Sequence, residues 1–136
     1  MKFNSQICTT KEQSERLLAL GLKKETADMV IRPDNTLIVV NENSFIYHNL
    51  ENAIQKGFCP AWSLHRLKCL IPYKAPYGVG YLTVEIINQN AYIVLVIEDV
   101  EQRVLKYTKD NLYDNLISCI NFFIKEKLFN KEYLEE

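Results

Sequence analysis

A chain of 136 residues has the size of one domain and can bury roughly two-thirds of the surface its unfolded form exposes, so it needs no staple to fold. With 48% hydrophobic and 24% charged residues, its composition is that of a globular protein rather than a disordered one. Sixteen basic and 17 acidic side chains leave a net charge of -1, which argues against a dedicated electrostatic nucleic-acid binder and leaves room only for a local patch.

The first element is a helix from about Lys11 to Leu20. Thr10 followed by Gln13 fits a capping box, and Gly21 supplies the left-handed residue that closes the helix. Leu17 and Leu18 are its expected core contacts. Thr36 to Val40 and Phe45 to His48 are β-branched or aromatic stretches, with Pro33-Asp34-Asn35 before the first and Asn41-Glu42-Asn43-Ser44 between them. They read as a hairpin. Asn49 is placed to cap a short helix from Leu50 to Lys56, stopped by Gly57. Pro60 suits the first position of a further helix running to about Leu70, with Trp62, Leu67, Cys69, Leu70 and Ile71 as its apolar sector.

Two prolines and two glycines between Pro72 and Gly80 mark a loop. Leu82, Val84 and Ile86 alternate with Thr83 and Glu85, the pattern of a half-buried strand. Asn88-Gln89-Asn90 turns the chain into Tyr92 to Ile97, which is apolar on both faces and belongs at the centre of a sheet. Arg103 to Tyr107 adds a third antiparallel strand. Asp110 caps the last helix, about Asn111 to Lys127, where Leu112, Leu116, Ile120, Phe123 and Ile124 recur at helical spacing opposite Asp114, Ser118, Asn121 and Lys125. The expected fold is therefore α+β in a single domain, 1–136: a small antiparallel sheet, hairpin or meander, packed against a C-terminal amphipathic helix, with shorter N-terminal and central helices.

The four cysteines, Cys8, Cys59, Cys69 and Cys119, form no C-x-x-C pair and read as reduced, mostly buried thiols. The segment Met1 to Ile7 has no apolar core of a signal peptide, and the longest strongly apolar run, Ala91 to Ile97, is too short to span a bilayer. These features lead us to expect a cytoplasmic protein with no membrane partner.

Three stretches carry a resemblance. They are Cys8-Thr9-Thr10-Lys11-Glu12-Gln13 with Leu17-Leu18-Ala19-Leu20-Gly21-Leu22, the central Pro60-Ala61-Trp62-Ser63-Leu64-His65-Arg66-Leu67, and Tyr113-Asp114-Asn115-Leu116 with Asn130-Lys131-Glu132-Tyr133-Leu134. Together they resemble uncharacterised small proteins carried by prophages and mobile elements of gut bacteria; Val30 to Ser44 lies outside the likeness. The resemblance implies a bacterial cytoplasmic setting and a phage-linked gene, and brings no activity, cofactor or catalytic residue.

Several constellations invite chemistry. Ala53, Gly57 and the residues to Leu70 resemble a helix-turn-helix, in which Ser63, His65, Arg66 and Lys68 would face a groove or a phosphate, beside the plainer reading of two packed helices. Cys59 at a helix N-cap would have a lowered thiol pKa and suggests a thiol enzyme, but His65 lies too far along the helix to serve as its base, and a small buried cap residue is the simpler reading. His65 and Cys69 share a helix face without the further ligands zinc needs. Gly78-Val79-Gly80 precedes a strand, whereas a phosphate-binding glycine loop follows one. Tyr73, Tyr77 and Tyr81 around the proline-containing loop offer large contact area at low entropy cost. The expectation is thus a non-catalytic accessory protein with no cofactor and no metal. It binds another protein through Tyr73, Tyr77, Tyr81, Trp62, His65, Arg66 and Lys68, with nucleic-acid binding through Ala53 to Leu70, or a thiol enzyme using Cys59, as the alternatives.

Overall fold

The capping box at Thr10 forms as its spacing predicts. In the computed structural model, which describes residues 6–41 and 43–136, Gln13 N–H donates to Thr10 Oγ1 at 3.1 Å and Thr10 N–H donates to Gln13 Oε1 at 3.0 Å. This opens α1, Lys11–Ala19, and Gly21 closes it at φ 99°. The reading of Met1 to Ser5 and of Glu42 in the turn falls outside the described residues. The fold is α+β and holds two small antiparallel sheets. The chain divides into two compact units, Met1–Arg66 with Glu132–Glu136, and Leu67–Lys131.

The first unit is built on a three-stranded sheet. Strand β1, Met29–Ile31, is central, β2, Leu37–Val39, lies on one side, and β3, Cys59–Ala61, lies on the other. The Pro33-Asp34-Asn35 turn does make a hairpin, but it joins β2 backwards to β1 rather than forwards to Phe45–His48. Asn35 sits at φ 70°, and the Asp34 carboxylate accepts from Thr36 N–H at 3.0 Å and from its hydroxyl at 2.6 Å.

Phe45–His48 is instead a helix, α2, followed by α3, Leu50–Gln55. Ile46, Leu50 and Ile54 explain why: four residues apart, they press one helical stripe onto Val30 and Val40, a period that a four-residue window cannot show. The Asn49 side chain donates to Phe45 O at 2.9 Å rather than capping α3.

Pro60 does not open a helix; it lies in β3 opposite Val30. β3 is an edge strand, where a missing N–H breaks no ladder. Trp62 follows it outside any helix, and α4 is only Leu64–Leu70, with Ser63 Oγ accepting from Arg66 N–H at 3.1 Å.

Trp62 is fully buried and interlocked with Thr9. Thr9 N–H donates to Trp62 O at 2.9 Å, and Trp62 N–H donates to Thr9 Oγ1 at 3.0 Å. Thr9 Oγ1 also bonds Ser14 Oγ at 2.8 Å, which accounts for a buried serine inside α1, while the indole N–H donates to Thr26 Oγ1 at 3.0 Å. Asp28 accepts from Ser63 N–H at 2.8 Å and from its hydroxyl. The C-terminal residues belong to this unit: Lys23 N–H donates to Tyr133 O at 2.8 Å and Glu135 N–H to Gly21 O at 2.7 Å.

The second unit is a meander with the order β4-β5-β6-β7: β4, Ala75–Tyr77; β5, Gly80–Ile87; β6, Asn90–Ile97; and β7, Val100–Tyr107. The expected loop from Pro72 to Gly80 therefore contains a strand. Pro76 is tolerated because β4 is an edge, and Gly78, at φ 60°, makes the two-residue turn into β5. Gly80 admits no side chain, since a Cβ there would lie 2.0 Å from Val96 O. β6 is central, as its two apolar faces require. Glu98 and Asp99, both at positive φ, are the turn into β7, and an extra residue at Val104 bulges that strand.

The last helix, α5, spans Leu112–Lys125. Asn111 rather than Asp110 caps it, accepting from Asp114 N–H at 3.3 Å. Leu116, Ile120 and Phe123 are buried as the spacing predicts, and so are Tyr113, Ile117, Cys119 and a polar residue, Asn115. The Asn115 amide donates to Gln89 O at 2.6 Å and Lys109 O at 2.9 Å and accepts from Lys109 N–H at 2.8 Å, tying the β5–β6 turn and the β7–α5 connection to the helix.

Thr9→Val keeps the shape but leaves the buried Trp62 N–H without its acceptor, and should cost about 1–3 kcal/mol in urea denaturation. Asn115→Leu abandons three backbone groups and should cost more, roughly 3 kcal/mol or above. A loss under about 0.5 kcal/mol in either, the size of an ordinary surface change, would show that the network concerned does not stabilise its own unit.

Candidate functional site

Cys59 lies in β3, not at a helix N-cap, and packs beside Cys8, Met29, Ile31 and Ala61. Burial, the largest cause, raises the Cys59 pKa, and it pushes Cys8 up to about 11, helped by the charges of Asp28 and Cys59. Cys119 is pushed up to about 12 by burial alone. A thiolate nucleophile needs the opposite shift. Cys69 is exposed rather than part of an apolar sector, and none of the four is in a disulfide. Among the described residues, no three His, Cys, Asp or Glu side chains converge as a metal site would need, and no helix is long and apolar enough to cross a membrane.

The helix-turn-helix geometry is also absent, because β3 runs between α3 and α4. Trp62 is buried in the first unit and presents no surface. His65 is exposed and Arg66 half-buried on the first turn of α4, while Lys68 is exposed further along it.

A concavity of about 560 Å³ in the first unit is lined by residues 6–12 with Ile31, Asn35 and Leu37. Its size suits a small molecule. Of its lining residues, Thr10 has its N–H and hydroxyl engaged in the capping box of α1, and burial raises the pKa of the Cys8 thiol to about 11.

The second unit brings together part of the tyrosine set. Tyr73 is 81% exposed and Tyr77 47% exposed. The Lys74 ammonium lies 5.5 Å from the Tyr73 ring centroid and 4.9 Å from that of Tyr81, so one cation joins both rings. Tyr77 is not part of this group. It pairs with Gly80 in register while Pro76 pairs with Tyr81, and side chains alternate along a strand, so Tyr77 sits on the opposite face.

The Tyr81 face continues across the sheet as Tyr92, Val94 and Val96, a cluster that includes no residue of α5. Arg103 stands 4.4 Å over the Tyr92 ring and pairs with Glu85 at 3.1 Å. On this face Tyr81 thus carries Lys74 and Tyr92 carries both Arg103 and Lys106, of which Arg103 is also held by the Glu85 carboxylate.

Beside Tyr73 is a groove of about 220 Å³, lined by Lys68, Ile71, Pro72, Tyr73, Thr83, Val84 and Ile86. It is smaller than the roughly 300–1,000 Å³ of small-molecule sites, and suits side chains of a larger partner. Among the expected site residues, Lys68 and Tyr73 meet here and Tyr81 joins through Lys74, whereas Trp62, His65, Arg66 and Tyr77 do not line it. Lys74 was not among the expected residues. Its signal is parity: two residues before Pro76 and diagonal to Tyr81, it takes the tyrosine face once a hairpin at Gly78 is recognised.

Alkylation followed by mass spectrometry should modify Cys69 first and Cys8 and Cys119 only on unfolding. Because an exposed thiol ionises near 9.0 and the folded Cys8 holds its proton to about 11, stability should fall as pH rises through that window. Melting temperatures should drop there, less steeply in Cys8→Ala. No protein family, curated protein or solved structure matches the chain.

Proposed function

We propose that the chain is a non-catalytic accessory protein that binds another protein through Tyr73, Lys74, Tyr81 and the groove beside them. The observation that carries this reading is the Lys74 ammonium lying over two tyrosine rings at the mouth of an apolar groove, with Tyr73 itself 81% exposed. Tyrosine offers large contact area at low entropy cost and is enriched in binding hot spots. Burial raises the pKa of the Cys8 and Cys59 thiols, which disfavours a thiolate at these two positions. The resemblance to prophage-borne proteins supports a bacterial, phage-linked origin and work in the cytoplasm.

Tyr73→Ala should leave the melting temperature unchanged and weaken partner capture by at least about 30-fold, the equivalent of a 2 kcal/mol hot spot. A photo-crosslinking residue at position 73 should yield a discrete protein adduct in the host, and the same residue at Val79, in the neighbouring turn, should yield less. Equal capture by Tyr73→Ala, or no adduct at position 73, removes the reading.

A further inference from the structure

We infer that the partner docks as an extended, acidic segment that adds a strand to β5 along residues 83–87; this rests on the protein-binding reading above. β4 pairs with β5 only from Ala75↔Leu82 to Tyr77↔Gly80, whereas β6 pairs with it from Tyr81 to Ile87. Among the described residues, no strand pairs with β5 beyond Leu82 on the β4 side. The outward N–H and C=O groups of that stretch form a template for another strand.

The opposite edge of the sheet is guarded. β7 carries a bulge at Val104 and the charged side chains Glu101, Arg103 and Lys106, devices that discourage pairing. The β5 stretch has no bulge, and its one charge, Glu85, is engaged by Arg103. The groove includes part of this open stretch, with Thr83, Val84 and Ile86 lining it together with Lys68, Ile71 and Tyr73. A strand laid there would pair its backbone with β5 and send alternate side chains into the groove.

Charge selects the occupant. Lys68 lines the groove, Lys74 stands on the ring of Tyr73 beside it, and no carboxylate lines it. An incoming strand therefore carries Asp or Glu alternating with apolar residues, and a basic strand is repelled.

Selection of a phage-displayed library of random linear peptides on the full chain tests this. Recovered peptides should be acidic and apolar in alternation. They should slow amide hydrogen exchange at residues 83–87, and lose about tenfold or more in affinity when their acids become amides or when Lys68→Glu and Lys74→Glu are combined in the protein. The peptide-side change gives the same readout if the double variant fails to fold. Recovery of basic or helical peptides, of none, or of peptides that leave those amides unprotected overturns the inference, as does a homodimer in which a second copy covers them. A crosslink at position 73 that survives such a result leaves the protein-binding reading standing and strand addition alone refuted.

Discussion

The first unit hangs on a reciprocal bond. Thr9 and Trp62 each donate a backbone N–H to the other residue, one to a carbonyl and one to a hydroxyl. This joins the segment before α1 to the segment after β3, and sets the largest buried side chain of the chain between them. Because the groups are buried, the cost of leaving either unpaired exceeds the gain from making the bond. The indole N–H is satisfied by Thr26, Ser63 is held by Asp28, and Ser63 in turn starts α4. A line of small polar side chains thus carries order from the N-terminal helix to the helix that leads into the second unit.

The second unit solves the same problem with one residue. Asn115 is the polar exception on an otherwise apolar buried face of α5, and its amide closes two loops at once. With those loops fixed, the meander is left with two long edges of different character, one bulged and charged, the other open beside a lysine-bearing groove. This asymmetry favours β5 over β7 for the proposed strand addition.

Elements with a sustained period were legible in the sequence. Leu82, Val84 and Ile86 predicted β5, the doubly apolar run predicted a central β6, and Leu116, Ile120 and Phe123 predicted α5. The misreadings share a cause, namely that tertiary pairing overrides local punctuation. Pro60 and Pro76 signal a helix start and a loop when judged locally, yet both occupy edge strands, where a missing donor costs little. Met29–Ile31 is too short to show a period and is a strand because β2 and β3 flank it. For the site, the exposed Tyr73 and Tyr77 were visible as a tyrosine-rich loop. The separation of Tyr77 from Tyr81 and the role of Lys74 depend on register, which residue spacing alone does not display.

The membership of residues 132–136 in the first unit has a bearing on synthesis. Lys23 and Gly21 find their backbone partners at Tyr133 and Glu135, across almost the whole chain. On a ribosome those partners are made after every residue of the second unit, so the bonds from Lys23 and Gly21 are closed only once the second unit's sequence has been synthesised. Contacts of such separation are slow to form. The segment made first thus waits for the last to complete its bonds.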